Sequence, residues 1–234
     1  MIGRDEYFAL VRERQELFIN PPGEVITILL DEDEIQQAEA AVAERLTRRG
    51  LPPEWAQVGI AYQDQYLMLL RDAVRFPDGS MGTYIRAIPP VGGAAGVIVL
   101  PVFQGNVVLL RHFRHGARTW HWEVPRGFGE ANSTPEENAR RELEEEIGAK
   151  VLRIISLGPL TLDTDSTGVP DQLFYAEIES YGQLEAAEAI SALSVVSISE
   201  FERMIRDGEI SEGYTLAAYA RAKAHGLMLE TVGR

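Results

Sequence analysis

The 234-residue chain has no cysteine. Disulfide staples, thiolate metal sites and thiol nucleophiles are thereby excluded, and a reducing cytoplasm is the compartment such a chain fits. Long apolar runs are missing as well. Stretches such as Gly96 to Phe103 fall far short of the roughly 20 residues needed to cross a bilayer. The first fifteen residues mix charges of both signs without an apolar centre, so neither a membrane partner nor a secretory signal is expected. Positive charge is scarce relative to negative: 22 Lys and Arg stand against 36 Asp and Glu, a net charge of -14. A field of that sign repels phosphate polymers, so nucleic acid is not an expected partner. A small phosphorylated ligand remains compatible wherever local cations, or a metal held by carboxylates, offset the field. Internal repeats and low-complexity tracts are also absent. What is present, 45% apolar and 25% charged residues, is the composition of a folded globular chain.

The chain up to about Gly50 reads as helical. Asp31 is placed to cap the segment DEDEIQQAEAAVAERLTRR, which has acids in its first turn, arginines in its last and Gly50 as its stop. LPPEW breaks that pattern. From Val58 to Ile88 it becomes strand-like around FPDGS, where Asp78-Gly79 signals a hairpin. PPVGGAAG, Pro89 to Gly96, reads as a flexible joint, and a second hairpin follows with VIVLPVF and VVLLRHFR on either side of Gln104-Gly105-Asn106. WHWEVP is a further short strand. A helix is expected from Pro135 to Ile147, with Thr134 as cap, Glu137 completing a capping box and Gly148 as terminator. Strands near Leu152 to Leu157 and Leu173 to Ile178 enclose the acidic loop LDTDSTGVPDQ, and two helices close the chain. The organisation expected is residues 1–54 as a helical extension, 55–90 as N-terminal strands and 91–234 as the main domain. Mixed strands around one central helix, with flanking helices, point to an α+β fold built as an αβα sandwich.

The stretch that carries chemistry is GFGEANSTPEENARRELEEEIGA, Gly127 to Ala149. Glu142, Glu145 and Glu146 lie three and four residues apart, so their carboxylates share one helical face. Like charges that close repel, and a divalent cation removes the penalty. Carboxylate oxygens are hard donors suited to Mg²⁺ or Mn²⁺, which keep waters and also bind substrate phosphates. Leu143 and Ile147 point toward the core and anchor the helix, and Arg141 is spaced to pair with Glu145 or Glu137.

Gly127 precedes Arg141 by 14 residues, and the string continues Arg-Glu-Leu-x-Glu-Glu-x-Gly to the small apolar Ala149. This resembles the Nudix signature, GX5EX7REUXEEXGU, at every fixed position but one. The resemblance implies an αβα sandwich with a mixed sheet whose loop-helix-loop motif binds metal and pyrophosphate. By similarity Glu142 and Glu146 would be the principal metal ligands. Glu145 would be a ligand or the water-orienting base, and the Arg126 carbonyl would join the shell. Gly127 would let the chain approach the metal closely. The metal would neutralise phosphate charge and activate a water for attack on phosphorus. Ser133 stands where the signature has its first glutamate, a residue that steadies the loop through the signature arginine. Glu130 or Glu136 is the expected substitute.

Flanking segments resemble the ADP-ribose pyrophosphatase and nucleotide-sugar branch. WHWEVPRG matches the strand entering the signature, and RHFRHG matches a phosphate-contacting segment in which Arg114 is the expected pyrophosphate ligand. Arg126 and Gly127 complete the expected substrate contacts, while Trp120 and Trp122 are expected in the core. The strands from Asp64 to Ile88 resemble those that build a homodimer in that branch, with an aromatic such as Tyr62 or Tyr84 near the adenine. Relatives often draw the base from the loop after the signature helix. Here that loop offers Asp163, Asp165 and Asp171, with Asp165 and Asp171 the candidates to assist metal or water. The activity implied is Mg²⁺-dependent hydrolysis of a nucleoside diphosphate-linked small molecule, ADP-ribose to AMP and ribose 5-phosphate. Other nucleotide sugars, dinucleoside polyphosphates and a non-catalytic ligand sensor are the alternatives.

Overall fold

The computed structural model describes residues 3–89, 94–130, 132–166, 168–182 and 189–228. It divides into two compact units, Met1–Val91 with Asp163–Val169, and Gly92–Leu162 with Pro170–Arg234. Residues 90–93 of the expected joint lie outside the described residues, and Ala94 to Gly96 already belong to a strand.

The first unit contains helices α1 (Arg4–Glu13) and α2 (Glu32–Arg48) and strands β1 (Thr27–Leu29), β2 (Gly59–Gln63), β3 (Met68–Arg75) and β4 (Met81–Ile88). Asp31 caps α2 by accepting from the N–H groups of Asp33 and Glu34, satisfying donors that the first turn leaves open. The β3–β4 hairpin turns through Gly79, whose φ of 83° is accessible to glycine at little cost. β1 was expected to be helical. It pairs antiparallel with β3, Thr27 opposite Arg75, so a long-range partner overrides the local helical signal around it. The core gathers Tyr7, Leu10, Phe18, Ile35 and Leu70. Among the described residues its one buried carboxylate, Asp72, is engaged on both oxygens: the Tyr7 hydroxyl donates to Oδ1 at 2.6 Å and Arg86 Nε to Oδ2 at 2.6 Å. Burial pushes the Tyr7 hydroxyl far above its ordinary value, reinforced by Asp72, so it remains a donor.

The second unit contains strands β5 (Ala94–Phe103), β6 (Asn106–Arg114), β7 (Thr119–Glu123), β8 (Arg126–Gly129), β9 (Lys150–Leu160), β10 (Asp171–Ser180) and β11 (Ile190–Val196). Its helices are α3 (Pro135–Ile147), α4 (Ile198–Arg206) and α5 (Gly213–Ala224). The sheet runs β11-β6-β5-β10-β9, with β7 added on β6 and β8 on β5. The β5–β10 pair is parallel and the others are antiparallel, so the sheet is mixed. Side chains of successive strand residues point to opposite faces, and the two faces have separate cores. Val97, Val99, Val108 and Leu110 pack with Leu143 and Ile147 of α3. Ile98, Leu100, Val107 and Leu109 pack with Phe201 of α4 and Ala218 of α5. Helix, sheet and helices make the expected αβα sandwich. The expected β5–β6 hairpin forms, with Gln104 and Gly105 both at positive φ. Trp122 packs against the core as expected, but Trp120 is 42% exposed. It lies at the edge of β7, where its ring meets Phe113 and the Arg111 guanidinium instead of the interior.

Candidate active site

The site is built where β8 leads into the loop before α3. Arg126 and Gly127 pair with Ile98 and Val97 of β5, which ties this short glycine-rich segment to the centre of the sheet. α3 begins as its sequence directs: the Thr134 side chain accepts from the Glu137 N–H, Glu137 accepts from Thr134, and Pro135 occupies the first turn. These hydrogen bonds hold the Glu137 carboxyl below the usual glutamate range. The helix ends at Gly148, which adopts the left-handed conformation. The spacing of apolar residues buries Leu143 and Ile147 and turns Glu142 and Glu146 toward β8.

Two carboxylates close on the Arg126–Gly127 backbone. The buried Glu146 accepts from the Arg126 N–H at 3.2 Å. Glu142 fills the space beside Gly127: a β-carbon there would lie 2.2–2.5 Å from its carboxylate atoms. Gly127 is needed for room, not for an unusual backbone angle. Glu145 stands apart and mostly exposed, 3.7 Å from Arg141 Nε. Among the described residues no group of three or more Asp, Glu or His side chains converges tightly enough to hold a metal ion.

Arg141 organises the loop. Its guanidinium lies 2.9 Å from Glu130, donates to Asn138 Oδ1 at 2.9 Å and to the Phe128 carbonyl at 3.4 Å, and stands 3.6 Å from Glu142. The buried Asn138 also accepts from the Glu130 N–H. Of the two expected substitutes for the missing glutamate, Glu130 takes the arginine. Glu136 pairs with Arg140 instead.

Behind the loop lies a second charged group. Glu123, fully buried on β7, forms an ion pair with Arg114 of β6, and His112 Nδ1 lies 3.3 Å from the same oxygen without hydrogen-bond alignment. Burial alone would raise the Glu123 carboxyl, but His112, Arg114 and Arg126 outweigh it and hold it below the ordinary glutamate value. The Arg126 guanidinium lies over the Tyr214 ring, 5.0 Å from its centroid. The Tyr214 hydroxyl donates to Asp171, and Asp171 also accepts from the Gly96 N–H at 3.1 Å. A β-carbon on Gly96 would be 2.7 Å from Asp171 and 3.3 Å from the Gly127 carbonyl, so both flank the same position of β5. Burial and Asp171 push the Tyr214 hydroxyl above its normal range, keeping it protonated as the donor.

Glu142, Glu146, Arg126 and Gly127 are thus brought together, Asp171 is held by Gly96 and Tyr214, and Arg114 is held by Glu123. Asp163 and Asp165 fall in the first unit, where exposed Asp163 accepts from the Asp165 N–H and the Ser166 hydroxyl, the ordinary work of a turn aspartate. Sequence reasoning missed Glu123, Asn138 and Tyr214. Glu123 did leave a signal, as the one carboxylate in the otherwise apolar-aromatic strand WHWEVP.

A profile of the NUDIX domain matches residues 92–218, more than half of the chain. Among solved structures, a crystal structure of an ADP compounds hydrolase matches with a TM-score of 0.62 at 16% sequence identity. The match covers 73% of this chain and 94% of that one. At that identity the likeness speaks to the fold. No curated protein matches the chain. Sequence profile, sandwich architecture and loop-helix-loop site agree: the chain belongs to the NUDIX family.

Proposed function

We propose that this enzyme hydrolyses the pyrophosphate bond of a nucleoside diphosphate-linked small molecule, with ADP-ribose as the preferred substrate and Mg²⁺ as the metal. The observation that carries this reading is the pair of carboxylates, Glu142 and Glu146, closed on the Arg126–Gly127 backbone, with the Arg141 guanidinium 3.6 Å from Glu142. Anionic and cationic groups so close suit a ligand that itself combines a divalent cation with phosphate oxygens. The choice of ADP-ribose draws on the flanking strands and on the shared fold with an ADP compounds hydrolase.

The family implies a divalent ion, and the donors fit it by type. Glu142 and Glu146 offer hard oxygens from buried or nearly buried positions, and the Gly127 cradle leaves room at the backbone that no other residue would. Glu142, Glu146 and the Arg126 carbonyl would hold the ion, with Glu145 completing the set or orienting water. When bound, the ion supplies charge neutralisation of the diphosphate and a more acidic water. The chain's own residues do the rest. Arg114 and Arg126 bind and orient the phosphates, and Arg141 with Glu130 keeps the loop in register. Asp171, fixed by Gly96 and Tyr214, braces β5 and β10 against that loop. In the reaction the water oxygen bonds to one phosphorus, the bridging oxygen leaves with the other phosphate, and the water gives up a proton to the site. We further propose a homodimer formed through the first unit's strands, because among the described strands β4 pairs only with β3, its other edge being bonded at Ala87 to Ser166 and Gly168, and Ile85 is exposed.

The test is a substrate panel of ADP-ribose, nucleotide sugars and dinucleoside polyphosphates with Mg²⁺ or Mn²⁺, reading AMP and ribose 5-phosphate. ADP-ribose should give the highest kcat/KM, and EDTA should abolish turnover. A higher kcat/KM for GDP-mannose would move the substrate assignment. Full activity in EDTA would remove the metal from it.

A further inference from the structure

Nearly all buried polar atoms in folded proteins find a hydrogen-bond partner, so exceptions call for a physical reason. Among the described residues four buried side-chain atoms have none: His112 Nδ1, Arg114 Nε, Glu123 Oε2 and Arg126 Nε. All four belong to one group, because Glu123 pairs with Arg114, lies beside His112 and feels the charge of Arg126. A fully buried carboxylate is costly to desolvate, and a well-packed apolar residue in its place is often no worse for folding. Its use must then lie in what it holds. Glu123 is rooted in β7 with no exposure, whereas Arg114 keeps a quarter of its side chain accessible. The Arg126 guanidinium is confined from another side by the Tyr214 ring. The Nε atoms of both arginines are buried without a hydrogen-bond partner, so each guanidinium is anchored at its inner end.

We propose that Glu123 is a positioning residue that sets the Arg114 guanidinium as the preformed arm of a clamp for a diphosphate. A planar guanidinium held in place loses less freedom when it engages phosphate oxygens than one that must first be ordered. Glu123 touches no substrate; it acts through Arg114. His112 flanks the same oxygen and limits its movement. This inference rests on the function proposed above, in that the anion it prepares for is the substrate's diphosphate.

The test combines steady-state kinetics with calorimetric binding of inorganic pyrophosphate, in Mg²⁺ and without it. The proteins are the wild type, Glu123→Gln, Glu123→Asp, Arg114→Ala and the Glu123→Gln/Arg114→Ala double variant. Loss of one charge-assisted contact should raise KM about 10-fold or more in Glu123→Gln, with kcat within about threefold of wild type. Pyrophosphate binding should weaken by a similar factor. The double variant should bind no more weakly than Arg114→Ala by more than about twofold, since residues acting as one unit are not additive. Additive losses, or an unchanged KM and pyrophosphate affinity in Glu123→Gln, would overturn the inference. If Glu123→Gln does not fold, Glu123→Asp keeps the charge while drawing the carboxylate back, and an unchanged affinity there overturns it equally. A wild type that binds pyrophosphate but cleaves no nucleotide would sink the proposed function while leaving the clamp standing. A wild type that does not bind pyrophosphate at all would sink the clamp.

Discussion

A methyl group at position 127 would have to share space with the Glu142 carboxylate, 2.2–2.5 Å away. The obstacle is the end of a flexible side chain, so the chain can fold around it by displacing that carboxylate. Gly127→Ala is therefore expected to lower kcat about 10²-fold, typical of misplacing one key electrostatic group. Its Tm should fall by no more than about 2–4 °C. Wild-type turnover in this variant would remove Glu142 from the site. Glu130, 2.9 Å from Arg141, makes a different prediction. Exposed pairs of this kind contribute up to about 1 kcal/mol, so Glu130→Gln should reduce kcat up to about fivefold. Ser133→Glu should restore it in that background, and a stopped assay on the single and double variants reads this directly. At this scale the sequence was partly legible. Glu142 and Glu146 at four-residue spacing identify their face unaided, whereas Glu145, expected with them, stands apart beside Arg141, and the role of Glu130 was one of two expectations. The Glu123–Arg114 pair depends on the register that sets β6 against β7, and the Tyr214–Asp171 bond joins residues 43 apart in the chain, so neither has a local signal.

Among the elements, α3 was the most readable because each of its ends carries a chemical marker that acts locally. Thr134→Ala removes the capping hydroxyl and is expected to cost about 1 kcal/mol, measured by denaturant titration. The Glu137 carboxyl that completes the box titrates below its usual value. A depressed folded-state value means that its contribution is present at neutral pH and lost as pH falls through that value. The stability gap between wild type and Thr134→Ala should accordingly narrow on acidification below the ordinary glutamate range, and a gap that widens there would contradict the box. β8 and β11 were not legible. Arg126–Gly129 is half glycine, which favours a loop by propensity, and becomes a strand only because β5 supplies its partners. Ile190–Val196 alternates weakly and is defined by pairing with β6. α5 was expected as a closing helix, but its attachment was not. Glu212 caps it by accepting from Tyr214 and Thr215, and the Thr215 hydroxyl accepts from the Val124 N–H, which fixes the helix start beside the signature loop.

For the whole molecule, a net charge of -14 opposes every anionic ligand at long range, and the few arginines behind β8 must reverse that field locally. Duplex DNA should consequently show no retardation by this protein in a gel-shift experiment at low salt. Light scattering after size exclusion is expected to give twice the mass of the chain, with Ile85→Lys shifting it to the single-chain mass. A wild type of single-chain mass would rule out the homodimer. No helix among the described residues is long and apolar enough to cross a membrane. The sandwich class was readable from the order of elements, and the near-continuous burial of β5 and β6 shows why both faces of the sheet need cover. The Arg141–Glu130 pairing has a consequence for descent. Since the brace for this loop comes from a neighbour three positions earlier, position 133 is released from selection for a carboxylate. Lineages can drift there without passing through a broken intermediate, provided the second acid is acquired first.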